Sequence, residues 1–238
     1  GSNGQTSTFV AELERMELIR PANDAGGYQI KHALTQDAVY DSLLRERREE
    51  LHERVAAAIE RRHQDRLGEI AEALAHHYGH TPRAEKAVLY MAQAGEKSLR
   101  VYSLDEAELR LRQVVELIEK VPGCADDVFL TDVLLNLGRV QYFRADMYGL
   151  IELLEPHLQK VEALGDPKRF SRFLFEIGYA HVFSANPETG IPMLEQAQSI
   201  AEENDDEHTI GLVKMGLSWG YSTWRQNNAD ARRKIDAL

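Results

Sequence analysis

Four glycines, Gly95, Gly138, Gly178 and Gly220, recur at separations of 43, 40 and 42 residues, each inside a stretch whose apolar residues have helical spacing. Such a period is too long for one helix and too regular for an ordinary globular domain. It marks a supersecondary unit stacked on copies of itself, because one unit alone cannot bury its apolar face. The glycine has a physical role in that unit: with no side chain, it lets a second helix lie directly against the first.

Around the glycines the apolar residues step by three or four. Leu104, Ala107, Leu111, Val114, Ile118 and Val121 form one stripe, and Ile151, Leu154, Leu158, Val161 and Leu164 another. The breaks between stripes hold helix-start chemistry. Ser103-Leu104-Asp105-Glu106 has the form of a capping box, and Thr81-Pro82, Asp166-Pro167 and Asn186-Pro187 each set a capping residue before a proline. At least nine helices are expected, with almost no alternating strand pattern.

Small residues follow the glycines: Ala107 and Gly190 stand twelve residues after the first and third, and Leu194 and Ala197 continue the third unit. This arrangement resembles the tetratricopeptide repeat, with its small residue in helix A and small residues in helix B. Two features depart from it. The period is about 40 rather than ~34, and Leu150 occupies the expected small position of the second unit. The expected fold is therefore all-α: a tetratricopeptide-like right-handed superhelix of antiparallel helix pairs over residues 65–238. The last pair stops part-way and no capping helix is evident, so a fragment of a longer protein is expected.

Residues 1–64 follow a different plan. Phe9 to Ile19 reads as a helix, Pro21 to Gly27 as a polar turn, Tyr28-Gln29-Ile30-Lys31 as one short strand, and a second helix starts near Thr35. The apolar stripe of Leu51, Val55, Ala58 and Ile59 ends at a charged stretch, His63 to Gly68, which sets the boundary. The run from Tyr28 to Tyr40 (YQIKHALTQDAVY), continued by Ser42-Leu43-Leu44, Arg47-Arg48 and Leu51-His52, resembles the junction between ATPase module and repeats in multidomain signalling (STAND) ATPases. Ala75-His76 and Ala92-Gln93-Ala94-Gly95 fit the same pattern, while Ile30 stands where an aromatic is common. The nearest type is the bacterial class III adenylate/guanylate cyclase with an ATPase core and tetratricopeptide repeats. Maltose-regulator-type transcription activators share the layout.

That resemblance implies that residues 1–64 are the C-terminal part of a winged-helix domain and a connecting helix, next to an ATPase module in the parent protein. It also implies that His32, following the last strand, reads the nucleotide held there. An imidazole can donate a hydrogen bond to a phosphate oxygen, most strongly when protonated. The competing reading of His32 is a residue that caps or packs at a strand–helix junction.

Composition narrows the function classes. The 238 residues carry a net charge of -11, which disfavours nucleic acid as a partner. No apolar run is long enough for a bilayer span, no signal peptide is evident, and Cys124 is the only cysteine, so a cytoplasmic location without a membrane partner is expected. Cys124 reads as a loop residue after Pro122-Gly123. No catalytic residue, cofactor or metal is expected in this fragment. Gly95-Glu96-Lys97-Ser98 ends like a phosphate-binding loop but lacks the upstream glycine and lies within a helix. There is no Gly-x-Ser-x-Gly elbow and no Cys-x-x-Cys pair. His76 and His80 share a helix face beside His77, with Glu72 as a third ligand within reach, but a structural role is favoured for this weak motif. Arg45-Glu46-Arg47-Arg48-Glu49-Glu50 reads as a solvated helix face.

Tetratricopeptide arrays bind along the concave face lined by the first helix of each pair. Residues one, four and five after each glycine should point there: Arg139, Tyr142 and Phe143; Tyr179, Val182 and Phe183; Tyr221, Trp224 and Arg225. An aromatic groove flanked by arginines suits a peptide or another helix of a protein partner. The alternative for each aromatic is packing between repeats. The function expected is a regulatory interaction segment. A small-ligand sensor and a free-standing adaptor are the competing readings, and self-association stays open.

Overall fold

The structure, a computed structural model, describes residues 2–22 and 27–224, with side chains from 8 to 222. Helix α1 (Ser2–Arg15) leads into a two-stranded antiparallel hairpin, β1 (Ile19–Pro21) and β2 (Tyr28–Ile30), in which Ile19 pairs with Ile30 and Pro21 with Tyr28. The sequence indicated one strand here. The second is formed because α1 stops at Arg15 and Glu17 takes a positive φ of 57°, turning Leu18 and Ile19 out of the helix. Helix α2 (Ala33–Ser42) buries no residue, and α3 (Arg45–Arg62) follows it.

The remaining helices form stacked antiparallel pairs. After α4 (Ala71–Tyr78), α5 (Ala84–Arg100) pairs with α6 (Leu104–Lys120). Next, α7 (Asp127–Phe143) pairs with α8 (Met147–Leu154) and α9 (Leu158–Ala163), which Pro156 separates by a turn of 3₁₀ helix. Helix α10 (Pro167–Phe183) pairs with α11 (Pro187–Glu203), and α12 (Glu207–Trp224) opens a further unit.

The three complete pairs turn by the same device. Seven residues after each glycine the chain enters the left-handed region, at Tyr102 (φ 58°), Ala145 (φ 56°) and Ala185 (φ 60°). The next amide then bonds back to a helix carbonyl: Ser103 to Ser98, Asp146 to Gln141 and Asn186 to His181, each at 2.9 Å. Return turns use Gly123, Gly165 and Asp205, also at positive φ. Capping chemistry is realised where aspartate is present: Asp126 accepts from the Phe129 amide (2.7 Å), Asp146 from Gly149 and Asp166 from Arg169. Ser103 and Asn186 hold the cap positions without a side-chain cap bond, and Glu106 pairs with Arg110 instead of closing a capping box. Helix α5 starts at Ala84, two residues beyond Pro82.

Sixteen residues after each glycine a leucine of the second helix sits against it. A Cβ on Gly95 would meet Leu111, one on Gly138 would meet Leu154, and one on Gly178 would meet Leu194. The third pair is closest: a Cβ on Gly178 would also lie 3.0 Å from the Gly190 carbonyl oxygen. Leu150, at the Gly190 position of the second pair, is fully buried, so the second pair fills that space with a side chain. Cys124 lies in a loop but packs into the core with Val114 and Val133, and burial pushes its thiol pKa up.

Packing crosses residue 64. Ala56 of α3 shares a cluster with Ala71, Leu74, Tyr78, Ala87 and Tyr90, and Glu60 ties the joint. Its carboxylate accepts from Tyr78 (2.7 Å), Tyr90 (2.6 Å) and Lys86 (2.7 Å). Burial pushes the Glu60 pKa up, but the hydrogen bonds from Lys86, Tyr90 and Tyr78 outweigh it and hold the group below its usual 4.5. A carboxylate lowered in the folded state stabilises fully above the unfolded pKa and loses that contribution as pH falls through the lower folded value. Glu60→Gln is therefore expected to cost about 1–3 kcal/mol at pH 7. The gap to wild type should close as urea melts are repeated at pH values falling below 4.5. A gap independent of pH would mean that the charge is not what matters.

Candidate functional site

The register of the repeats comes from their caps. Asp126, Asp166 and Asp206 precede α7, α10 and α12 at intervals of 40 residues, and Asp206 accepts from the Thr209 amide as the other two do at the same offset. Aligned in this way, Ser218 is the counterpart of Gly138 and Gly178, and Gly220 lies two residues further on, at the position of Val140 and Ala180. Burial agrees, since Val133, Phe173 and Val213 are all buried, as are Leu137, Ile177 and Leu217.

The two-residue slip changes the face. Tyr221, expected in the groove, is buried and bonds Glu195 through its hydroxyl. Trp219 takes its place, one residue after Ser218, and is 49% exposed. Arg225 and the Trp224 side chain lie outside the described residues. Tyr179 and Val182 are buried against α11 and α12 rather than open, because each next pair packs over those positions. Arg139, Tyr142, Phe143 and Phe183 are the predicted residues that reach the surface.

Rings from successive first helices touch in a continuous series. Tyr102 meets Phe143 (centroids 5.1 Å), Phe143 meets Tyr142 (5.5 Å), and Tyr142 meets Tyr179 (5.7 Å). Tyr179 meets Phe183 at 4.4 Å, and Phe183 stacks on Trp219 at 5.1 Å with an interplanar angle of 11°. Phe175 joins from the side, 5.6 Å from Tyr179. The buried Tyr179 anchors the series while its neighbours keep open edges. Sequence reading missed Phe175, Trp219 and Met215. The 40-residue spacing of the aspartate caps was the signal that would have found Trp219; Phe175 and Met215 stand three residues before the glycine position, at an offset the pattern did not mark.

Beside the rings, Arg139, Tyr142, Phe143, Arg172, Phe175, Glu176, Leu212 and Met215 line a cavity of about 140 Å³. It lies next to a wide groove of about 610 Å³ that Glu96, Asp132, Asn136 and His208 also border. At its floor the carboxylate of Glu176, almost wholly buried, accepts from Arg172 (2.7 Å); burial raises its pKa against the pull of the Arg172 and Arg139 charges. Arg172 also contacts His208 at 3.1 Å.

Two further expectations concern the start of the chain. His32 is at the N-cap position of α2 with its backbone carbonyl accepting from Thr35, and its exposed ring makes no cap bond. Glu72 pairs with Lys97 at 3.2 Å and does not join the histidine donors that lie within 4.8 Å of one another. His76 and His80 meet His52 of α3 instead. The rings of His52 and His80 stack at 4.6 Å, and His52 Nδ1 lies 3.0 Å from His77 Nδ1. Burial, then the nearby His80, His77 and His76, push the His52 pKa down to about 4.

Among solved structures, the chain is similar to a Podosopora anserina protein named as a kinesin light chain with nearly identical TPR-like repeats. The TM-score is 0.53 and the identity 16%, over 80% of this chain and 91% of that one. The fold is tetratricopeptide-like. A single-substitution variant of the same fungal protein aligns equally well, with a TM-score of 0.52 and 17% identity over 81% of this chain and 92% of that one. No protein-family profile and no curated protein sequence matches the chain. Among the described residues no helix is long and apolar enough to cross a membrane.

The split between anchor and open rings is measurable in urea melts. Tyr179→Ala should destabilise by about 3–5 kcal/mol, as truncation of a buried ring does. Trp219→Ala should cost only about 1 kcal/mol, the worth of one aromatic contact. Equal losses would contradict the division.

Proposed function

We propose that this chain is a non-catalytic interaction segment that takes a peptide or helix of a protein partner along the concave face of its repeats. The observation that carries this reading is the unbroken ring series from Tyr102 to Trp219, with Phe143 at the cavity and Phe143, Phe183 and Trp219 all partly open to solvent. Aromatic and arginine side chains are the usual anchors of binding energy at protein interfaces. Arg139 at the groove suits a partner carrying a carboxylate among apolar anchors, while Arg172 is held by Glu176. The enclosed cavity is only about 140 Å³, below the ~300 Å³ at which small-molecule sites begin, and the adjoining space of about 610 Å³ is a wide groove, a shape that suits a peptide or helix better than a small effector.

The finer reading makes the chain part of a multidomain signalling ATPase, closest to a nucleotide cyclase, with residues 1–64 as the end of a winged-helix domain. Its support is the resemblance of residues 28–52 and an unpartnered apolar surface on that side: Leu34, Val39 and Leu44 are 84, 54 and 75% exposed. A neighbouring ATPase module would cover such a surface, and the exposed His32 ring would face its nucleotide. Partner binding could then shift the parent's switch only through different affinities for its two states.

Selection of a displayed peptide library on the chain tests the reading. The expected outcome is recovery of peptides with aromatic or aliphatic anchors near acidic residues, binding about 30-fold or more weaker to the Phe183→Ala, Trp219→Ala double variant. The melting temperature of that variant should stay within a few degrees of wild type. Peptides that bind wild type and double variant equally would remove the concave face from the account. In a full-length parent, His32→Ala should weaken nucleotide retention, and unchanged retention would remove the sensor role.

A further inference from the structure

We propose that His52, His76 and His80 form a site for a divalent transition-metal ion, with zinc as the ion of best fit, clamping α3 to α4. One nitrogen from each ring can be chosen so that the three lie within 4.8 Å of one another. His76 stands in the last turn of α4, His80 in the turn that follows it and His52 in α3, so the donors converge from different elements instead of lining one exposed helix face. Three imidazoles with an open fourth position match the preference of zinc for nitrogen ligands, with water completing the tetrahedron.

The second shell is partly in place. His80 Nδ1 lies 2.7 Å from the His76 backbone carbonyl, so Nδ1 is the protonated nitrogen and Nε2 carries the free lone pair. His52 Nε2 lies 3.0 Å from the Tyr40 hydroxyl and His52 Nδ1 lies 3.0 Å from His77 Nδ1, so ligation through Nδ1 keeps the Tyr40 bond and exchanges the His77 contact for the ion. A hollow of about 360 Å³, bordered by Tyr40, Arg48, Glu49 and His80, gives solvent a route to the open position. The rings of His52 and His80 are stacked and, among the described residues, no carboxylate pairs with any of the three, an arrangement with little reason to assemble as a cationic cluster. Ligation at the ~2.0–2.1 Å that zinc requires needs the stacked His52 and His80 rings to turn so that their nitrogens aim at one point.

Loading should stiffen the joint between residues 1–64 and the repeats, since α3 and α4 carry the ligands. The test is calorimetric titration of ZnCl2 into the chain, free of any histidine tag and of chelators, followed by Co2+ absorption spectra. The expected result is one equivalent bound with micromolar or tighter affinity, a raised melting temperature and the visible bands of four-coordinate Co2+. His76→Ala and His80→Ala alter exposed rings, so both should fold, and each should weaken binding about tenfold or more. His77→Ala should keep the site. Absence of saturable binding, or equal binding by wild type and both variants, would overturn the proposal. So would loss of binding in His77→Ala with retention in His76→Ala.

Discussion

Each helix pair depends on a leucine seated against a glycine sixteen residues earlier. Leu111, Leu154 and Leu194 occupy the space that a side chain at Gly95, Gly138 or Gly178 would fill. All three leucines are fully buried, so the contact excludes water while fixing the distance between helices. The same left-handed residue seven positions after the glycine turns the chain back each time. Pairs built alike stack alike, and stacking repeats the same face at every first helix. The fold's capacity to present a surface therefore follows from a steric constraint in its core.

That surface is not separate from the core. Tyr179 is buried in the packing of α10 against α11 and α12, yet its ring touches Tyr142 and Phe183, which reach solvent. A ring held on one side by the core has little freedom to lose when something binds on the other. Glu176 plays the polar counterpart: buried beneath the groove, it fixes the guanidinium of Arg172 at the surface. The groove thus has rigid apolar and charged elements supplied from below.

The joint between α3 and the repeats uses two kinds of chemistry on its two sides. Tyr78 and Tyr90 stack at 5.6 Å and share the Glu60 carboxylate with Lys86. On the other side His76, His77 and His80 cluster around His52 with no carboxylate pairing to them among the described residues. The first is a satisfied polar network. The second is a set of nitrogen donors facing one another.

The repeat period, the helical stripes and the close approach at Gly178 and Gly190 were legible in the sequence, because each is a local property of residue size and spacing. So was the short β2 strand. The sequence also carried the correct register in its aspartate caps, but counting glycines hid it: Gly220 looks like its predecessors and yet stands two residues out of phase. Which aromatics face solvent could not be read from spacing, since Tyr179 and Phe183 lie on the same helical side and differ only in what the following helices cover. Nor could His52 be joined to His76 and His80, which are 24 and 28 residues away. Short-range order is written in the pattern of side chains along the chain; exposure and convergence depend on which helices pack over which, and only the tertiary structure decides that.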